Sequence, residues 1–182
     1  MSIIGNNNIG VYSALTAVKP GSSEEPVQIL WNTICASIFP PAEGYKFAVK
    51  GPVLMDGTRP DIVVFEIKRT VVVPTAETAG SVILQEYQIM MIECTAPCKD
   101  TPTGWQVTTE GQLGNYLENI INPTNKIFAA TAIGSKVQFF QWSRPNITPL
   151  HPTPFDLLHE SQRAQAEQVL LHIKQGAWNF VS

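Results

Sequence analysis

The chain has 182 residues, a charged fraction of 15% and a hydrophobic fraction of 44%. A chain of this size and composition can bury a real core, which excludes an intrinsically disordered protein. The net charge of −3 excludes a protein that binds nucleic acid through an overall positive charge, so any binding to nucleic acid needs a local basic patch.

The cysteines and the apolar runs indicate the compartment. Three cysteines, Cys35, Cys94 and Cys98, are an odd number and do not make a disulfide framework. Residues 1–18 lack the basic start and apolar block of a signal peptide, and no apolar run approaches the ~20 residues of a membrane span. We therefore expect an intracellular protein, cytoplasmic or nuclear, without a membrane partner.

The N-terminal part predicts a tail followed by a helix. Residues 1–21 are rich in Gly, Asn and Ser, which predicts a flexible tail or an edge strand ahead of a single domain over residues 22–182. Ser22 and Glu25 have the spacing of a capping box, and apolar residues then recur at helical spacing. Pro40-Pro41 ends this helix.

Polar residues at the start of this helix allow two interpretations. Glu24, Glu25 and Gln28 either approach a functional site or simply favour a helix N-terminus, where acidic side chains are stabilising. Residues 45–50 then alternate between apolar and polar side chains, which predicts a half-buried strand.

A long hairpin is the next predicted element. Residues 61–73 are rich in β-branched side chains, residues 74–80 form the turn region, and residues 81–95 return as a strand that is apolar on both faces. Such a strand is typically central in its sheet. Glu93 closes this apolar run, and a buried carboxylate is costly unless it is paired or bound to a metal.

The second half of the chain predicts two helices and a further hairpin. Thr109 and Gln112 have the spacing of another capping box, which would open a helix after a loop. The predicted elements are a loop over 96–107, a helix with Leu113, Tyr116, Leu117, Ile120 and Ile121 buried and Asn122-Pro123 at its end, strands over 127–131 and 136–142, a connector over 143–154, and a helix over 160–175. This order predicts an α/β (α+β) sandwich, a mixed β-sheet flanked by helices.

Three polar residues of these elements can converge. Asp61 starts one strand of the hairpin, Glu93 lies near the end of the other, and Gln112 lies on the following helix. Paired carboxylates suit a hard divalent cation such as Mg²⁺ or Mn²⁺. The arrangement therefore suggests a metal site for phosphodiester chemistry.

Three short motifs of the chain resemble those of the PD-(D/E)xK nuclease-like superfamily, which has the restriction-endonuclease-like fold. They are Pro60-Asp61, Glu93-Cys94-Thr95, and Gln112 with Tyr116. The resemblance covers about residues 23–142. It implies a hydrolase in which Asp61 and Glu93 hold Mg²⁺ or Mn²⁺ and Gln112 assists. Thr95 stands where the family has its catalytic lysine, and a neutral, short hydroxyl cannot carry that charge.

The missing positive charge must come from another residue if the protein is a nuclease. Lys68 and Lys99 are the candidates for this role, although Lys68 lies an odd number of residues from Asp61 and therefore faces the other side of a regular strand. The predicted substrate contacts are Lys68, Arg69, Lys99 and Tyr116, with Lys50 and Arg59 as further basic residues. Tyr116 has core packing as its alternative role.

A rival motif lies within the first strand of the hairpin. Glu66-Ile67-Lys68 is a literal Glu-x-Lys, but Asp61 and Glu66 are five residues apart and diverge on a regular strand. A β-bulge would be needed to bring them together. The other interpretation is a solvent-facing strand surface.

Two functional hypotheses follow. One is a Mg²⁺-dependent nuclease acting on DNA or RNA. The other is a catalytically inactive member of the same superfamily that binds nucleic acid or protein. The apolar residues 71–73 are either a homodimer contact or part of the core.

Overall fold

The structure, a computed structural model, describes residues 2–72 and 81–182. A mixed β-sheet carries helices on its faces, which confirms the predicted α/β (α+β) class. Val73 and the predicted turn over 74–80 lie outside the described residues. Within the described ranges, no helix combines the length and the apolar character needed to cross a membrane.

The elements are numbered in chain order over the described residues. The α-helices are α1 (Ile9–Ala17), α2 (Glu25–Ile38), α3 (Pro102–Gln106), α4 (Gly114–Leu117) and α5 (Glu160–Val181). The strands are β1 (Tyr45–Val49), β2 (Ile62–Val72), β3 (Ser81–Thr95), β4 (Lys126–Ile133), β5 (Lys136–Ser143), β6 (Asn146–Pro149) and β7 (Phe155–Asp156). A π-helical stretch, Val107–Leu113, joins α3 to α4.

The sheet has the strand order β1-β2-β3-β4-β5-β6, with β7 paired to β5. Neighbouring strands are antiparallel except β3 and β4, which are parallel. A parallel pair needs a long crossover connection, and the helical segment α3–α4 provides it. The chain therefore leaves β3 at the edge where Glu93 lies and crosses one face of the sheet.

Two hydrophobic cores lie on opposite faces of the sheet. The larger core packs the sheet against α1, α2 and α5 and includes Trp31 and Phe139. The smaller core lies under α3–α4 and includes Met91 and Leu117. Strand β2 contributes alternate residues to the two cores, as the period of two in a strand requires.

The N-terminal prediction was wrong over residues 9–17, which form helix α1 instead of a tail or an edge strand. The Asn8 side chain caps this helix by accepting a hydrogen bond from the Val11 amide at 3.2 Å. The segment before α1 is held by Glu167 of α5, whose carboxylate accepts hydrogen bonds from the amides of Ile3 (3.0 Å) and Ile4 (2.9 Å). These long-range contacts have no local pattern in the sequence.

Both predicted capping boxes were wrong. Helix α2 begins at Glu25 without a side-chain cap, and the Ser22 hydroxyl accepts instead from the Lys19 amide. The helix predicted to start at the second capping box begins earlier, as α3 at Pro102, within the predicted loop. Thr101 caps it by accepting a hydrogen bond from the amide of Gly104 at 3.0 Å. Thr109, which was the predicted cap, lies inside the π-helical stretch.

The remaining differences concern the ends of elements. Helix α4 ends at Leu117, so Ile121 lies beyond it and is exposed rather than buried. The predicted connector contains the short strand β6, and helix α5 runs six residues further than predicted, to Val181. The predicted strands around β1, β4 and β5 are confirmed to within a few residues.

Candidate functional site

Asp61 and Glu93 lie across from each other at one edge of the sheet. Ile62 of β2 pairs with Ile92 of β3, so the residues one step beyond this pair are Asp61 and Glu93. Both residues are buried, each with a relative exposure of 6%. The antiparallel register of the hairpin is therefore what brings the two acids together.

The Asp61 carboxylate is held by hydrogen bonds from two elements. One oxygen, Oδ2, accepts from the backbone amide of Cys94 at 2.8 Å, and the other, Oδ1, accepts from the Gln28 side chain of α2 at 2.8 Å. Burial raises the pKa of Asp61, while the Cys94 amide opposes this rise. The position of this carboxylate is thus determined by β3 and α2 together.

The Glu93 carboxylate is less well satisfied. Its Oε2 atom is buried and has no hydrogen-bond partner within residues 2–72 and 81–182. Burial, and then the nearby charge of Asp61, raise the pKa of Glu93 to about 8, and the backbone N–H of Asp61 opposes the rise. The surroundings of this carboxyl group therefore favour its protonated form.

The N-terminal end of α2 and the end of β1 complete the surroundings. Lys50 Nζ lies 3.8 Å from Asp61 Oδ1 and 3.7 Å from Glu24 Oε1, and the Gln28 side chain also donates to Glu24. Of the two interpretations of the α2 start, the structure places Glu24 and Gln28 at the site. Glu25 is exposed. We call Glu24, Gln28, Lys50, Asp61 and Glu93 the carboxylate site.

A cavity of about 440 Å³ lies beside the carboxylate site, and Glu24 forms part of its wall. Thr95, Lys99 and Gln112 also line this cavity. The Thr95 hydroxyl lies 3.4 Å from that of Thr108 on the helical segment. The structure therefore places three of the predicted site residues in one cavity next to the acids, with the amide of Gln112 exposed.

Tyr116 lies between the site and the smaller core. Its side chain is half-buried and packs against that core. Burial raises the pKa of Tyr116, and the charges of Glu93 and Asp61 raise it further. Tyr116 is thus close enough to the two acids for their charges to raise its pKa, while its ring packs against the smaller core.

Lys68 and Arg69 do not belong to the carboxylate site. Lys68 lies seven positions after Asp61 in the sequence, a distance of about 23 Å along an extended strand. Lys68 Nζ instead lies 4.3 Å from the centre of the Trp178 ring and 3.6 Å from Glu66. Arg69 is exposed one residue further along β2.

The rival Glu66 motif is not assembled. The hairpin does contain a bulge, but the extra residue is Ile89 of β3, so the alternation of β2 is unchanged. Glu66 is paired with Tyr45 and Tyr87 and lies away from Asp61. Its pKa is also raised by burial, and its Oε2 atom has no hydrogen-bond partner in the described residues. A buried, unsatisfied oxygen alone therefore does not mark the site; the pairing of two carboxylates does.

The donor set fits a divalent cation that keeps part of its water shell. No three His, Cys, Asp or Glu side chains are grouped as a complete metal site in residues 2–72 and 81–182. Mg²⁺ is nevertheless commonly held by one or two carboxylates, with waters and phosphate as the other ligands. Asp61 and Glu93, with the free Oε2 atom, match this pattern. A larger cavity of about 720 Å³ is lined by Trp105 and Phe140 but not by Asp61 or Glu93.

No protein-family model, curated protein or solved structure matches the chain.

Proposed function

We propose that the protein is a divergent, metal-dependent nuclease that hydrolyses phosphodiester bonds of DNA or RNA. The observation that carries this proposal is the pair of buried carboxylates, Asp61 and Glu93, with an oxygen of Glu93 that has no hydrogen-bond partner in the described part of the chain. The carboxylate site contains one lysine and three carboxyl groups, of which Glu93 loses its proton when a cation binds. Such a site attracts a divalent cation and repels a bare phosphate, so a phosphate needs the cation in order to approach.

The arrangement of elements supports the superfamily that the sequence resembles. Asp61 directly precedes the second strand, Glu93 lies on the third, and Gln112 and Tyr116 lie on the helical segment that follows. Helix α2 contributes to the site from the other face of the sheet. We propose on this basis that the domain is a restriction-endonuclease-like core with two extra short strands, β6 and β7.

The residues of the chain have separate roles in this proposal. Asp61 and Glu93 hold the cation, and Gln28 and the Cys94 amide keep Asp61 in place. When bound, the cation polarises the phosphate and lowers the pKa of a bound water. Glu93 must lose its proton to act as a ligand, and Gln112 offers an exposed amide on the wall of the adjacent cavity.

Calorimetry with Mn²⁺ tests the proposal without a guess about substrate. The native chain should bind Mn²⁺, and Glu93→Gln and Asp61→Asn should abolish binding because each removes one of two ligands. Glu66→Gln is the matched control, since Glu66 is also a buried carboxyl group with an unsatisfied oxygen, but its charged neighbour is Lys68 rather than a second carboxylate. If the native chain binds no Mn²⁺, both the proposed metal site and the proposed nuclease function are wrong.

Cleavage is then measured on plasmid DNA and on labelled single-stranded DNA and RNA, with Mg²⁺ or with a chelator. We expect cleavage that requires the cation and is lost in both carboxylate variants. One observation favours the second function, an inactive binding module: Thr95 occupies the lysine position and its hydroxyl faces Thr108. Metal binding by the native chain without cleavage of any substrate would favour that module.

A further inference from the structure

The proposed reaction needs a positive charge that Thr95 cannot supply. Negative charge develops on the attacked phosphate, and a fixed cation near it stabilises the transition state. The Thr95 side chain is neutral and half-buried, and its hydroxyl lies near Thr108. The cation must therefore come from another part of the chain.

Lysines near the site differ in how they are placed. Lys68 lies about 23 Å along β2 from Asp61, by the strand rise, and rests over Trp178. Lys99 lines the adjacent cavity but forms no ion pair with an acid of the described residues. Lys50 Nζ lies within 4.0 Å of both Asp61 and Glu24. The geometry thus favours Lys50.

The backbone of Lys50 ties it to Asp61. Its amide donates to the Asp61 carbonyl oxygen at 3.1 Å, directly after β1 ends. Its φ angle is +48°, in the left-handed region, which costs a non-glycine residue about 1 kcal/mol and is kept where the surroundings require it. The main chain therefore fixes the Cα atom of Lys50 next to Asp61, and its side chain reaches the Asp61 carboxylate from there.

The ammonium group of Lys50 is open to solvent. Its side chain has a relative exposure of 55%, against 8% for that of Asp61. Exposed ion pairs contribute little to stability, so this contact does not account for the strained backbone. An exposed ammonium group 3.8 Å from a buried carboxylate can meet an incoming phosphate.

We propose that Lys50 contacts a phosphate oxygen of the nucleic acid and provides the positive charge that is missing at Thr95. This inference rests on the proposed nuclease function. Lys50 lies on the β1–β2 connection, so the charge enters the site from the side of Asp61 rather than from the strand that carries Glu93.

The test measures binding of a fluorescein-labelled oligonucleotide by anisotropy, with Ca²⁺ as the added cation. Lys50→Met should weaken binding about tenfold and lower the slope of log K against log salt by about one, as expected for one lost phosphate contact. Lys50→Arg should retain most of the affinity because it keeps the charge. Lys46→Met is the matched control, because Lys46 is an exposed lysine of β1 that pairs with Glu86, outside the site.

Calorimetry with Mn²⁺ separates the two proposals. Lys50→Met should bind Mn²⁺ at least as tightly as the native chain, since it removes a cation that competes for Asp61. If the native chain binds no Mn²⁺, the proposed function fails. If Mn²⁺ binds but Lys50→Met and Lys46→Met have equal oligonucleotide affinity and equal salt slopes, the proposed role of Lys50 is overturned and the metal site stands.

Discussion

Replacement of Glu93 by glutamine should stabilise the metal-free protein, and the gain should depend on pH. The substitution keeps the size of the side chain and removes its charge. Glu93 has a pKa of about 8 in the folded chain against an ordinary value of 4.5, mainly because it is buried. Between these two values the folded state binds more protons than the unfolded state, so the stability of the native chain falls as the pH rises.

The size of the effect follows from the same two values. Below pH 4.5 the group is protonated in both states and contributes no pH dependence. At pH 7 the cost of Glu93 is about 3 kcal/mol, and above pH 8 it levels off at about 5 kcal/mol as an upper limit. Glu93→Gln removes this cost, so the difference in the free energy of unfolding between variant and native chain should grow over this pH range.

Chemical denaturation at pH 5, 7 and 9 in the presence of a chelator measures this difference. The chelator is needed because a bound cation would stabilise the native carboxylates. Glu25→Gln, at an exposed position at the start of α2, controls for the loss of a carboxyl group. A constant difference between Glu93→Gln and the native chain from pH 5 to pH 9 would refute the claim that this carboxyl group is held protonated by burial.

Three further predictions test other parts of the structure. Mn²⁺ binding at pH 7 should release about one proton, because a ligand must be deprotonated; calorimetry in two buffers of different ionisation enthalpy measures this, and no proton release contradicts it. Gly104→Ala should lower the free energy of unfolding by about 1–3 kcal/mol, because a Cβ atom there would lie 1.9 Å from the Lys99 carbonyl oxygen. Gly111→Ala is the control, since a Cβ atom at Gly111 meets open space and should be tolerated. Chemical denaturation of both variants measures the difference, and equal stabilities would contradict the prediction. Asn122→Ala should lower the free energy of unfolding by about 1–3 kcal/mol in the same measurement. The Asn122 side chain accepts a hydrogen bond from the Gln88 amide (3.0 Å) and donates one to the Gln88 carbonyl oxygen (2.6 Å), and an unchanged stability would show that these buried bonds are dispensable.

The order of the predicted elements was enough to bring the two acids together. Asp61 precedes one strand of the hairpin and Glu93 lies near the end of the other, and the start of the first strand and the end of the second are neighbours in an antiparallel hairpin. The bulge at Ile89 did not disturb this prediction, because it lies further along the hairpin. The fold class followed from the same patterns.

The remaining parts of the site depend on contacts that no local pattern encodes. Lys50 reaches Asp61 through a left-handed backbone angle after β1, which is uncommon for lysine. The helical segment that carries Gln112 is capped by Thr101, eight residues before the predicted cap, Thr109. The bonds from Gln28 and from the Cys94 amide join segments that are distant in the chain.

The two hydrogen bonds to the Asp61 carboxylate also have a consequence for the order of folding. Each spans 33 residues of the chain, one towards α2 and the other towards β3. Closing such loops costs entropy, and this cost is offset only when the β2–β3 hairpin has formed and α2 has packed against the sheet. A partly folded chain in which either step is missing therefore lacks one of the two hydrogen bonds to Asp61, and the bond from Gln28 forms only when α2 closes on the hairpin.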